Sequence, residues 1–217
     1  MRDDEVSEEK ELLERLVTEA QETTYFFSSG RKPERERSAC AAFLRCLGID
    51  FVPEEIISTQ KDPPDVVFRS ARFEVLEVLD QGRKRHDEWK AKREQRKQAK
   101  KLNNLLRPYR PPYPLSYAEV LNLITQALTK KAARYGQSTC AELDALVYVN
   151  LLSNVLDPQS PIPSTDELSH QGWRSVSMII PLFSYVFFTR ESAPTFLQRF
   201  AGQTRNKCED LDTLFKL

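Results

Sequence analysis

Two acidic residues stand where chemistry could happen. Lys61-Asp62-Pro63-Pro64-Asp65-Val66-Val67-Phe68 is followed, after a short connection, by Phe73-Glu74-Val75-Leu76-Glu77-Val78. Asp65 opens the first apolar run, and Glu74 sits inside the second, with eight residues between them. If Val66–Phe68 and Phe73–Leu79 are strands joined by the tight connection Arg69-Ser70-Ala71-Arg72, the two carboxylates lie side by side at one end of a hairpin. Two convergent carboxylates are the least that can hold Mg²⁺ or Mn²⁺, hard cations that prefer oxygen ligands. A lone Asp beside prolines is an ordinary turn residue. An acid within an aliphatic strand is different, because a buried charge needs a partner or a metal.

The elements around this hairpin follow from hydrophobic period. Residues 7–27 predict a helix with Ser7 as its N-cap and a stripe of Leu12, Leu13, Leu16 and Ala20. A second helix runs from Pro33 towards Gly48, burying Ala39, Ala42, Phe43, Leu44 and Leu47. Ile49–Phe51 and Ile56–Ser58 are short strand candidates. Ser116-x-x-Glu119 is a capping box that opens a helix with Val120, Leu121, Ile124, Ala127 and Leu128 on its core side, ended by Gly136. Ala145–Leu151 (Ala-Leu-Val-Tyr-Val-Asn-Leu) is an almost continuous apolar run, as expected of a central strand buried on both faces. One helical turn near Thr165–Leu168, strands at Val176–Ile180 and Tyr185–Phe188, and a late helix at Pro194–Ala201 complete the pattern.

Here the sequence resembles the PD-(D/E)xK nuclease superfamily, whose fold is restriction-endonuclease-like. Pro64-Asp65 matches the PD element, and Glu74-Val75-Leu76 falls where (D/E)-x-K would fall. Viewed whole, the chain is similar to a small bacterial family of unknown function labelled "putative endonuclease". The resemblance implies an α/β fold with an αβββαβ core, a mixed central sheet flanked by helices and an N-terminal helical extension. It implies Asp65, Glu74 and the Val75 carbonyl as metal ligands, Mg²⁺ or Mn²⁺ as cofactor, and Glu36 of the first core helix as a further acid. The family's lysine falls at Leu76, which can neither orient a water nor balance phosphate charge. A lysine from a neighbouring element is therefore required, with Lys61, Lys84 and Lys90 as candidates. Glu77 points to the opposite strand face from Glu74 and is not expected to be a ligand.

The 217 residues carry 32 Lys+Arg and 32 Asp+Glu, a formal charge of zero that hides two opposed blocks. Residues 1–22 hold nine acids and three bases, whereas residues 83–110 hold twelve bases and three acids. Arg83, Lys84, Arg85, Lys90, Lys92, Arg93, Arg96, Lys97, Lys100 and Lys101 form a series suited to phosphate neutralisation, and Trp89 adds a stacking face. The expected partner is DNA, with RNA second and a second copy of the chain, as a homodimer, third. The expected organisation is an acidic helix over 1–30 on or near the core, then one domain over 31–217 bearing a basic helical arm at 81–106. Arg107–Leu115, with four prolines, reads as a polyproline-like loop.

Other classes are disfavoured. Six glycines form no GxGxxG or GxxxxGKS/T, GxSxG is absent, and two histidines leave little room for Ser-His or Cys-His chemistry. Cys40, Cys46, Cys140 and Cys208 have no CxxC spacing, which suits a reducing cytoplasm rather than a zinc site. The acidic N-terminus lacks an apolar signal segment, and Val176–Phe188, which includes Pro181 and Ser184, is too short to span a bilayer, so no membrane is expected. The sequence therefore supports a metal-dependent DNA endonuclease. The alternatives are a nuclease-fold domain that has lost catalysis but binds nucleic acid or protein, and a regulatory or assembly protein that uses the basic arm.

Overall fold

The computed structural model describes residues 2–180 and 183–205, with side chains from residue 7 onward; Pro181 and Cys208 fall outside this set. Two compact units are present, Met1–Lys32 with Gln81–Pro111, and Pro33–Asp80 with Pro112–Leu217.

The first unit is helical. Helix α1 (Arg2–Phe26) begins five residues before Ser7, so Ser7 is interior rather than a cap. No Gly or Pro interrupts residues 2–6, and nothing there stops the helix from extending. Its partner in this unit is helix α3 (Arg85–Gln98), which carries most of the basic run. The unit's apolar centre is small: Ala20 and Phe27 are buried, and Phe27 stacks on Trp89 at 6.3 Å and an interplanar angle of 14°.

The second unit is a mixed α/β body. Helix α2 (Lys32–Leu47) ends where Gly48 takes φ 71°, a left-handed position that favours glycine. Strands β1 (Ile57–Ser58), β2 (Val66–Phe68) and β3 (Ala71–Leu79) then run antiparallel. The segment 49–51 is not a strand; its Asp50 carbonyl accepts from Arg69 Nη2 at 2.8 Å instead of from a neighbouring strand. Helix α3 (Arg85–Gln98) belongs to the first unit. Strand β4 (Tyr113–Leu115) turns the end of the proline-rich loop into a parallel pair with the later strand Asn154–Leu156, and helix α4 (Tyr117–Tyr135) follows. The remaining elements are α5 (Gln137–Cys140), β5 (Asp144–Asn150), β6 (Asn154–Leu156), α6 (Asp166–His170), β7 (Ser175–Ile180), β8 (Phe183–Thr189), α7 (Thr195–Gln198) and β9 (Thr204–Arg205).

The main sheet has the order β1-β2-β3-β5-β7-β8-β9. Its centre, β3-β5-β7, is parallel, and both flanks are antiparallel. Helices cover both faces, and strand parity decides which side chain meets which helix. Leu76 and Val78 share a cluster with Val120, Leu121, Ile124 and Leu128 of α4. Ala71 and Phe73 pack with Phe43, Leu44 and Leu47 of α2. Strand β5 is buried at all seven positions, as expected of the apolar run Ala145–Val149 with covered faces on both sides, and the polar ends Asp144 and Asn150 are buried with it. Glu74 therefore points to the α4 side, together with Leu76.

Candidate metal centre

The β2–β3 hairpin sets the first contact. Val66 pairs with Phe73, so extending the register by one residue places Asp65 opposite Glu74. Side chains directly opposite on one face have Cβ atoms about 4.5–5.5 Å apart. The Asp65 N–H donates to the Phe73 carbonyl at 3.0 Å, and Asp65 Oδ2 accepts from the Val75 N–H at 3.0 Å. The carboxylate is thereby tied to the strand that carries Glu74.

Asp62 joins this pair from the loop before β2. Carboxylate oxygens of Asp62, Asp65 and Glu74 all lie within 4.8 Å of one another. An octahedral Mg²⁺ with oxygens at about 2.1 Å holds adjacent ligands about 3 Å and opposite ligands about 4.2 Å apart, so the three carboxylates must draw together to share one ion. Glu74 is fully buried, and its Oε2 has no hydrogen-bond partner. A fully buried carboxylate oxygen without a donor is costly, and a cation among the three acids removes that cost. The all-oxygen donor set fits Mg²⁺ or Mn²⁺.

The other oxygen of Glu74 is heavily engaged. Lys131 Nζ donates to Glu74 Oε1 and, at 3.1 Å, to the Tyr135 hydroxyl. The Tyr135 oxygen lies 2.7 Å from Asp62 Oδ1 and 2.9 Å from Glu74 Oε1. A phenol has one proton, so it can donate to only one of these carboxylates at a time. Burial, reinforced by the Asp65 charge, holds the Glu74 carboxyl above its ordinary range despite the opposing pull of Lys131 and Tyr135. Burial and the adjacent Asp62 and Glu74 also push the Tyr135 phenol upward, so it stays a donor. Arg134 Nη2 donates to Asp62 Oδ2 at 2.9 Å.

Helix α4 positions these groups. Ser116 Oγ accepts from the Glu119 N–H at 3.3 Å while Glu119 Oε2 accepts from the Ser116 N–H at 2.8 Å, fixing the helix start. Gly136, at φ 80°, ends it with its N–H on the Ala132 carbonyl at 2.9 Å. Between these ends the buried stripe of Ile124 and Leu128 continues to Lys131 and Tyr135. Lys131 stands one turn beyond a core residue of the face that covers Leu76 and Val78. The C-terminal part of the helix thus delivers an ammonium to the strand face that carries Glu74 and Leu76.

The other sequence-derived residues are distributed as follows. Lys61 is exposed beside Asp62, with its carbonyl accepting from Thr59 Oγ1 at 3.1 Å. Lys84 and Lys90 belong to the helical unit, and the lysine bonded to Glu74 is Lys131 rather than any of these three. Glu36 is buried on α2 and is not one of the three clustered acids. In a strand the N–H and C=O of one residue point the same way, so the Val75 carbonyl faces the side of Asp65. Glu77 is exposed on the opposite parity and accepts from Asn150 Nδ2 at 3.1 Å.

In the helical unit, Arg96 Nη1 donates to the Leu16 carbonyl at 2.7 Å and to Glu19 Oε2 at 3.3 Å. Arg83 and Lys92 pair with Glu88 at 2.8 and 2.7 Å, Arg93 pairs with Glu94 at 2.9 Å, and Arg85 is buried over the Phe27 ring at 4.0 Å. Lys84, Lys90, Lys97, Lys100 and Lys101 are exposed. Among the described residues, no helix is long and apolar enough to cross a membrane.

No curated protein matches this chain. It is similar in structure to a Pseudomonas aeruginosa protein of unknown function described as belonging to the monooxygenase superfamily, with 32% identity, 94% of this chain and 97% of that one covered, and a TM-score of 0.67. Residues 8–210 match the family described as "Putative endonuclease, protein of unknown function (DUF1780)", and the chain belongs to that family.

Proposed function

We propose that the protein is a metal-dependent DNA endonuclease of the PD-(D/E)xK type with a restriction-endonuclease-like core. The observation that carries this reading is the buried Glu74, whose Oε2 has no partner while Oε1 is held by Lys131. Asp65, Glu74 and Asp62 would hold Mg²⁺ or Mn²⁺, with the Val75 carbonyl beside them. The bound cation would lower the pKa of a water and offset charge on the scissile phosphate. Lys131 would orient that water, and Tyr135 would keep Asp62 and Glu74 aligned. The exposed lysines of α3 would add sequence-independent affinity for the DNA backbone.

The superfamily given for the Pseudomonas protein names a different reaction class. The cluster described here offers three carboxylates and an ammonium, unlike the two-histidine, one-carboxylate set of non-haem iron oxygenases. Those donors favour phosphodiester hydrolysis.

The direct test is nicking of supercoiled plasmid with Mg²⁺ or Mn²⁺, alongside single-stranded RNA as an alternative substrate. Cleavage that disappears in Asp65→Ala and Glu74→Ala supports the nuclease. Salt-sensitive DNA retention with no cleavage at any metal concentration would leave a binding domain that has lost its chemistry. No retention at low salt would favour the assembly role.

A further inference from the structure

We propose that Arg134 is the phosphate-binding arginine of this site, held by Asp62 until a divalent cation draws that carboxylate away. The inference rests on the metal reading above and adds an order of events: the cation first, the phosphodiester second.

Three observations carry it. Arg134 is anchored at one point, with Nη2 on Asp62 Oδ2 at 2.9 Å, while its side chain is 64% exposed. Its guanidinium carbon lies 5.3 Å from the centroid of the Tyr135 ring, whose hydroxyl oxygen lies 2.7 Å from Asp62 Oδ1. A guanidinium has five N–H donors in a rigid fork that matches two phosphate oxygens, so most of its capacity faces outward.

The second observation is the contrast between the two cation–carboxylate pairs. Lys131 meets a Glu74 side chain that is 0% exposed, whereas Arg134 meets an Asp62 side chain that is 47% exposed. Exposed pairs contribute little and exchange readily, so the Arg134 contact is the one that gives way. Asp62 also offers a carboxylate oxygen within 4.8 Å of oxygens of Asp65 and Glu74, so it is a ligand that a shared cation would recruit.

The third is charge. Three carboxylates face two cationic side chains, which leaves one formal negative charge and repels a phosphodiester. A divalent cation reverses that to one positive charge. The fully buried, unpartnered Oε2 of Glu74 points to a cation as the missing component independently of the acid count. When Asp62 turns to the cation, Arg134 becomes the uncommitted guanidinium beside the reacting phosphate.

The test uses the full chain and a short fluorescein-labelled DNA duplex, with affinity read by anisotropy in Ca²⁺ and in chelator. Calorimetry follows Ca²⁺ binding in parallel. The parent protein should bind the duplex about tenfold more tightly with Ca²⁺, the size of one charge-assisted hydrogen bond. Arg134→Ala should lose that gain without weakened Ca²⁺ binding, and Arg134→Lys should recover part of it. Asp62→Asn should raise affinity in chelator, because Arg134 loses its ionic partner. Retention of the full Ca²⁺ gain in Arg134→Ala overturns the proposal, as does unchanged chelator affinity in Asp62→Asn. Absence of Ca²⁺ binding to the parent instead defeats the metal reading and the ordered coupling, and the chelator arm then decides whether Arg134 meets phosphate at all.

Discussion

Lys131, on the last full turn of α4, donates to the Oε1 of Glu74 on β3, across 57 positions of sequence. Leu76 lies on the same strand face as Glu74 and is buried against α4. The leucine packs the helix that brings the lysine in. A lysine at 76 would place an ammonium in that apolar interface, so the arrangement separates the packing role from the ionic one.

Lys131→Ala should therefore cut cleavage while sparing the cation. General acid–base and water-orienting groups contribute roughly 10²–10⁴-fold, and a loss in that range is expected under single-turnover conditions. Mn²⁺ affinity, measured by calorimetry, should be retained, because the three carboxylates remain. Equal cleavage by parent and variant would remove Lys131 from the chemistry.

Glu74 gives a pH signature. Its carboxyl is raised above the ordinary 4.5, chiefly by burial. A group raised on folding contributes stability that is full below its unfolded pKa and is lost as pH rises through the folded one. Glu74→Gln cannot ionise, so it should leave Tm unchanged near pH 4 and raise it at pH 7.5 in chelator. Cation binding needs the ionised form, so Mn²⁺ affinity of the parent should fall with acidity and binding should release a proton. A Tm difference independent of pH would contradict this origin.

The hairpin acids were legible because a strand announces itself locally. Val66-Val67-Phe68 and Phe73–Leu79 carry the period of two, and register alone then brings Asp65 opposite Glu74. Lys131 and Tyr135 were not, since their meeting with Glu74 depends on how α4 lies across the sheet. A trace existed: both continue the Ile124–Leu128 stripe, where a lysine is out of place unless it has a buried partner. Asp62 reads as a turn residue, and its contacts with Tyr135 and Arg134 tie it to the cluster. The opposed charge blocks were visible, yet the bases that α1 and the local acids engage could not be told from the exposed ones without the helix pair itself.

On the other face of the sheet, Asp144 is fully buried and accepts from Arg174 Nε at 3.1 Å, Arg174 Nη2, Ser175 Oγ at 2.8 Å and the Arg72 N–H at 3.0 Å. Every acceptor site is matched, in contrast to Glu74, which marks Asp144 as a structural clasp. Asp144→Ala leaves the largely buried Arg174 without its ionic partner, with only the Ser70 carbonyl still accepting from Nη2 at 3.1 Å, and should cost about 3–5 kcal/mol. The corresponding fall in Tm, on the order of 10 °C, is measurable by calorimetry. Mn²⁺ binding should survive below the transition, because Asp144 lies on the α2 side with Leu146 and Tyr148. A variant of normal stability would show that Arg174 finds other acceptors.

The basic run divides into two classes with different expected phenotypes. Arg83, Arg85, Lys92, Arg93 and Arg96 are engaged within the helical unit, whereas Lys84, Lys90, Lys100 and Lys101 are exposed. Each phosphate neutralised on duplex DNA contributes about 0.9 to the slope of log affinity against log salt. Replacing the four exposed lysines by Ala should thus reduce that slope by about 3 to 4 if all four meet phosphates. Arg96→Ala, by contrast, removes the donor to Leu16 and Glu19 and should lower the stability of the α1–α3 pair while leaving the slope nearly unchanged. Anisotropy titrations between 50 and 200 mM salt, about the range over which counterion release dominates, separate the two outcomes. An unaltered slope in the four-lysine variant would take the arm off the DNA and leave the cluster around Glu74 as the sole point of contact to test.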